Sequence, residues 1–222
     1  MYKIFIYIAL FFIFAFIGWI IEVINSLIVD KKFVNRGFLI GPVVPIYGFG
    51  GIAITLFLSR YSDEPITLFC MATIICSILE YFTSYFMEKI FNTRWWDYSN
   101  KKFNLNGRIC LRNLAAFGLM GLVMVKYAVP FIIDILEKID PVLLKTIVSI
   151  LLVIIMVDLC ISTKIIYNVK TATLTIKDST EEISAKVKEV LMKKGVFTRR
   201  VAHAFPDFRI NTSFFKRVDK MK

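Results

Sequence analysis

Residues 4–29 read IFIYIALFFIFAFIGWIIEVINSLIV, and only Gly18, Glu22, Asn25 and Ser26 among them are neither apolar nor aromatic. A hydrocarbon core of about 30 Å is crossed by about 20 apolar residues in a helix, so this stretch is long enough to span. Its polar members recur at helical spacing and share one face. Lipid does not tolerate such a face. An ionisable residue inside a membrane ordinarily looks into a bundle interior or a watery cavity, which makes Glu22 the first candidate functional residue.

The pattern repeats along a chain of 222 residues with 57% hydrophobic content, the composition of a polytopic membrane protein. The expected fold is an all-α, multi-pass bundle within residues 1–168, with about five transmembrane helices near 4–29, 43–59, 66–90, 109–133 and 142–167. The first run is too long for a removable signal peptide and lacks a small-residue cleavage pattern. The second segment, GFLIGPVVPIYGFGGIAITLFLS over 37–59, is unusual because Gly41, Pro42, Pro45, Tyr47 and Gly48 crowd its first half. Proline removes a backbone donor and clashes with the preceding turn, so a regular helix is expected only from about Pro45. Two readings follow: an interrupted helix of the kind that forms transporter binding sites, or a loop followed by a short helix whose glycines permit close packing.

The net charge of +11 lies beside apolar segments, which points to topology and anionic lipid headgroups rather than to nucleic acid. The stretches Asp30 to Arg36 and Glu88 to Arg112 and the tail from Lys170 all carry a basic excess, whereas Arg60 to Glu64 and Asp134 to Asp140 are acidic. With five spans every basic connection falls on one side, so the N-terminus is expected outside and the C-terminus in the cytoplasm. The tail, 169–222, begins its own helix at about 180–194, where Ser179 and Glu182 match a capping box and Gly195 is placed to stop it. Its basic and aromatic remainder suits the membrane surface. Cys70, Cys76, Cys110 and Cys160 form no CxxC and His203 is the lone histidine, so no metal and no cofactor is expected. No GxxxxGK[ST] occurs, so ATP hydrolysis would have to come from a partner subunit.

Glu22, Glu80 and Asp158 each lie late in an inward-running segment, roughly 10–15 Å from its cytoplasmic end at 1.5 Å per residue. Arg36, Arg94, Arg108 and Arg112, with Asn113 beside them, come from the inner loops and the base of the fourth segment. Acids at that depth are expected to be paired or protonated. Three readings stay open: ion pairs that lock the bundle, a substrate or ion site, and acid–base catalysis with an arginine-held phosphate. Trp95, Trp96, Asp97 and Tyr98 would form a rim or lid, or simply anchor at the interface.

Gly18-Trp19 with Glu22, the run Asn35-Arg36-Gly37-Phe38-Leu39-Ile40-Gly41-Pro42 with Pro45-Ile46-Tyr47-Gly48, Glu80-Tyr81, and Arg94-Trp95-Trp96-Asp97-Tyr98-Ser99 with Asn106-Gly107-Arg108 resemble the bacterial "putative ABC-transporter type IV" membrane family. The resemblance covers roughly Ile4 to Tyr167 and implies a multi-pass permease of the bacterial plasma membrane. The expected function is transport of a small polar or anionic solute through a cytoplasm-facing charged cavity, energised by a separate subunit such as an ATPase, in a chain that also associates with itself. The alternatives are a membrane enzyme or binder acting on a lipid headgroup or phosphate, and a scaffold or regulator that recruits partners through its basic tail.

Overall fold

The computed structural model describes residues 2–29, 31, 33–35, 37–91, 93–174 and 209–210. The protein is a helical bundle in the order α1 (Tyr2–Val29), α2 (Pro45–Leu58), a 3₁₀ turn (Ser59–Tyr61), α3 (Pro65–Phe91), β1 (Thr93–Arg94), β2 (Asn104–Leu105), β3 (Ile109–Cys110), α4 (Leu111–Val123), a π-helical turn (Met124–Ala128), α5 (Val129–Glu137), α6 (Pro141–Leu174) and β4 (Arg209–Ile210). Four stretches are long and apolar enough to cross a membrane: Tyr2–Val29, Pro65–Phe91, Leu111–Glu137 and Pro141–Tyr167. The segment expected to cross over 43–59 holds a helix of 14 residues that starts at Pro45. At 1.5 Å per residue it reaches only about 21 Å, so the non-helical stretch leading into it must make up the rest of any crossing.

Antiparallel packing sets the bundle. α1 and α2 meet through glycines: a Cβ on Gly18 would run into the Tyr47 ring, one on Gly48 into Phe11, and one on Gly51 into Phe14. α3 and α4 meet the same way, with Gly118 against Phe69 and Gly121 against Ala72. Close backbone approach of this kind is how helices associate in lipid, where no hydrophobic driving force separates one apolar neighbour from another. Tyr2 donates to the carbonyls of Leu136 and Ile139 at 3.1 and 3.3 Å, which puts the start of α1 beside the turn between α5 and α6. α1, α3 and α6 therefore run one way, and α2 and α4–α5 the other.

Leu111–Glu137 is one continuous rod whose middle turn is π-helical. Pro130 follows that turn; its ring would crowd a regular α-helical carbonyl four residues back, and a widened turn removes the conflict. Up to and into that turn the rod faces α2 and α3, with Val125 of the turn buried among Ile54, Leu58, Leu68 and Ala72. After it the rod faces α1 and α6, with Val129 and Leu136 among Ile6, Leu10, Leu144 and Val148. α6 buries little else along its length, and Val153, Ile154 and Val157 stay exposed as on a lipid-facing surface.

The stretch 37–44 contains the irregular backbone, and its polar groups are answered by side chains from neighbouring helices. Trp19 donates to Asn35 Oδ1 at 2.7 Å, and Asn35 Nδ2 donates to the Ile40 carbonyl at 3.0 Å. The Val44 N–H reaches the Ala15 carbonyl of α1 at 3.0 Å. Non-helical backbone at membrane depth survives only under such satisfaction. β1 pairs antiparallel with β4, so one point of the tail lies against the connection after α3. The helix expected over 180–194 lies outside the described residues.

Candidate functional site

The polar side chains of the bundle gather where α1 and α3 finish and α4 begins, and they separate into three groups. The first is built from carboxylates and neutral donors. Tyr47, in the first turn of α2, donates to Glu22 Oε1 at 2.9 Å. It reaches that far because Gly18, one turn before Glu22, leaves room for its ring. Across from it, Glu80 of α3 is buried at 8% exposure. Its Oε1 accepts from Tyr98 at 3.3 Å and from Asn113 Nδ2 at 3.1 Å, while its Oε2 is buried without a hydrogen-bond partner among the described residues. Glu22 and Glu80 lie near enough to act on each other electrostatically. Burial, followed by the Glu80 charge, pushes the Tyr98 phenol well above its ordinary value, with Glu22 adding a smaller push. That phenol is therefore a donor at any physiological pH. Among the described residues no lysine or arginine pairs with either acid.

The second group is charge-compensated. Glu88, two turns further along α3, accepts from Arg108 Nη2 at 2.8 Å and from Arg94 Nε at 3.2 Å. Arg94 Nη1 also reaches Asp97 at 3.5 Å, and Arg108 Nη1 donates to Ser84 Oγ at 3.1 Å. The Arg108 guanidinium lies over the rings of Tyr81 and Tyr85, 5.7 and 5.5 Å from their centroids. The connection between α3 and α4 folds up to deliver these arginines. Trp95 is 3% exposed and packs with Phe91 and Ile166, and Trp96 Nε1 donates to the Arg108 carbonyl at 3.1 Å. Gly107 sits at φ +68°, in the left-handed region, and a Cβ there would come within 2.5 Å of Asp97 Oδ1 and Ser99 Oγ.

The third group is an anchor. Asp158 accepts the backbone N–H of Ile40 at 2.8 Å and of Gly41 at 2.7 Å, and the Ser162 hydroxyl at 2.9 Å. One carboxylate thus satisfies two consecutive orphan donors of the broken segment.

The residues expected to converge are accordingly distributed. Glu22, Glu80 and Asn113 share one group with Tyr47 and Tyr98. Arg94, Arg108 and Asp97 share another, around Glu88. Asp158 holds the Gly41–Pro42 stretch, and Arg112 is exposed. Arg36 lies outside the described residues. Sequence reading did not single out Glu88 as the arginines' partner, although its spacing from Glu80 and Ser84 places all three on one face of α3. It also placed Tyr47 with the broken helix rather than with Glu22; the small residue one turn before the acid was the available signal. Among the described residues no group of three or more His, Cys, Asp or Glu is arranged to hold a metal ion.

The model of the family described as putative ABC-transporter type IV matches residues 9–163, which include all three groups. No curated protein and no solved structure matches the chain. The chain is a member of the putative ABC-transporter type IV family of membrane proteins.

Proposed function

We propose that the protein is a transport subunit of the bacterial plasma membrane that binds a small polar solute beside Glu22 and Glu80. The observation that supports this reading is the carboxylate pair, uncompensated among the described residues and held by Tyr47, Tyr98 and Asn113 at the junction of four helical elements. Polar groups inside an apolar bundle are costly and mark substrate or ion paths. The adjoining α2 begins only at Pro45, after an irregular lead-in, as in helices that open toward a solute. The excess of basic residues in the connections after α1 and α3 and in the tail sets the N-terminus outside and turns this end of the bundle to the cytoplasm. Because Arg94 and Arg108 are engaged by Glu88, the site suits a polar or cationic solute better than an anionic one. The family name supports a separate energy-coupling subunit, and ATP hydrolysis would act through it.

The test is uptake into proteoliposomes of the full chain, screened across radiolabelled amines, amino acids, sugars and phosphate. Uptake above empty liposomes that is abolished by Glu80→Gln supports the reading. Uptake of phosphate alone, or uptake that survives Glu80→Gln and Glu22→Gln, sinks it. Chemical turnover of a phospholipid by the purified chain would instead establish a membrane enzyme.

A further inference from the structure

From the same site, and resting on that transport reading, we infer that Glu22 and Glu80 together bind one small monovalent cation, supplied as a proton or as an alkali ion. The argument starts from charge balance. Around Glu88, the acids Glu88 and Asp97 are met by arginines, Arg94 and Arg108 among the described residues. Around Glu80, two acids meet only neutral donors: the phenols of Tyr47 and Tyr98 and the amide of Asn113. Two carboxylates within electrostatic reach of each other, in an apolar bundle, need a positive charge from somewhere. Among the described residues, the chain does not provide it.

A second and independent observation points to where that charge sits. Among the described residues, both donors to Glu80 fall on Oε1, while Oε2 of the same side chain, at 8% residue exposure, is buried with no partner. An orphaned buried oxygen loses its hydration with nothing in return, and a proton on it or an ion beside it restores the balance. The groups that bond to Glu80 or feel its charge come from every neighbouring element: Glu22 of α1, Tyr47 of α2, Cys76 of α3, Tyr98 of the connecting segment and Asn113 of α4. These are chiefly oxygens, hard donors suited to a proton or alkali ion rather than to a soft metal. A monovalent cation cuts the charge of the pair from −2 to −1, and the phenol and amide donors spread what is left.

The experiment uses the full chain in lipid nanodiscs with no transported solute present. Radioactive sodium binding is measured by scintillation proximity, and infrared difference spectra between mildly acidic and mildly alkaline buffer report protonated carboxyl groups. The expected result is saturable sodium binding or a carboxyl C=O band, lost in Glu80→Gln, weakened in Glu22→Gln and kept in Asp158→Asn. Sodium binding identifies an alkali ion as the occupant; the band without sodium binding identifies a proton. Tyr98→Phe, which keeps Glu80 in place and removes one donor, should shift half-saturation by about tenfold. Neither signal in the folded wild-type chain, or a signal untouched by Glu80→Gln and Tyr98→Phe alike, overturns the inference. A chain that moves solute yet shows neither signal loses the cation site and keeps the transport reading; one that binds the cation but moves no solute does the reverse.

Discussion

Glu80 and Glu88 lie about two turns apart on the same face of α3, and their surroundings could hardly differ more. Glu88 is met by two guanidinium groups, one of them also bonded to Ser84 and stacked over two tyrosine rings. Glu80 is met by a phenol and an amide, with one oxygen left bare among the described residues. The first arrangement pairs opposite charges, which is what a fastener between a loop and a helix requires. The second, on the reading proposed above, is completed by something from outside. On that reading, compensation separates acids that hold the fold from acids that await a ligand.

Removing the fastener should have the largest effect. Glu88→Ala leaves Arg94 and Arg108 without the carboxylate they share; a fully buried pair costs about 3–5 kcal/mol to break, and this partly buried cluster should approach the lower end of that range. Thermal unfolding in detergent should show it as a large fall in midpoint or as loss of monodisperse protein, and a wild-type midpoint would void the structural role given to Glu88. Asp158→Asn should rank next, at about 1.5–3 kcal/mol for hydrogen bonds to a charged acceptor, with new protease sensitivity near Ile40 and Gly41. Gly18→Val drives a side chain into Tyr47 and should cost about 1–3 kcal/mol while parting Tyr47 from Glu22. Its function should suffer more than its stability.

Glu80→Gln sharpens the contrast from the other side. It should change the unfolding free energy by no more than about 1 kcal/mol, the net worth of a neutral hydrogen bond, and still abolish solute uptake. If it unfolds the chain as Glu88→Ala does, the division between the two acids fails. The smallest effect is expected at high pH. The folded Tyr98 phenol holds its proton above the value of about 10 at which a free tyrosine loses it. The folded state therefore binds more protons than the unfolded state above that pH, and stability falls as pH rises. Tyr98→Phe should flatten that alkaline slope; an unchanged slope would show that Tyr98 is not the group responsible.

Much of the scaffold was legible in the sequence because length and hydropathy alone decide whether a helix can cross a membrane. The start of α2 at Pro45 was equally readable, since proline chemistry dictates it locally. Pairing was not legible. That Arg94 and Arg108 choose Glu88 over Glu80 depends on how residues 93–110 fold back, and thus on Gly107 in the left-handed region and on Trp95 buried beside Phe91 and Ile166. Both are long-range outcomes. Asp158 illustrates the same limit. Its depth made it resemble Glu22 and Glu80, but its partners are two backbone amides more than a hundred residues away in sequence.

The π-helical turn at Met124–Ala128 has a mechanical meaning beyond accommodating Pro130. One surplus residue in a helix turns everything after it by about 100°. The rod thus hands its contact stripe from α2 and α3 to α1 and α6 partway along, and a single crossing element stitches both halves of the bundle together. Deleting one residue from that turn would keep the rod's composition and nearly its length, yet point Val129 and Leu136 away from α1. The turn works as an angular gear, and the coupling between the two halves should be sensitive to its residue count more than to which apolar residues fill it.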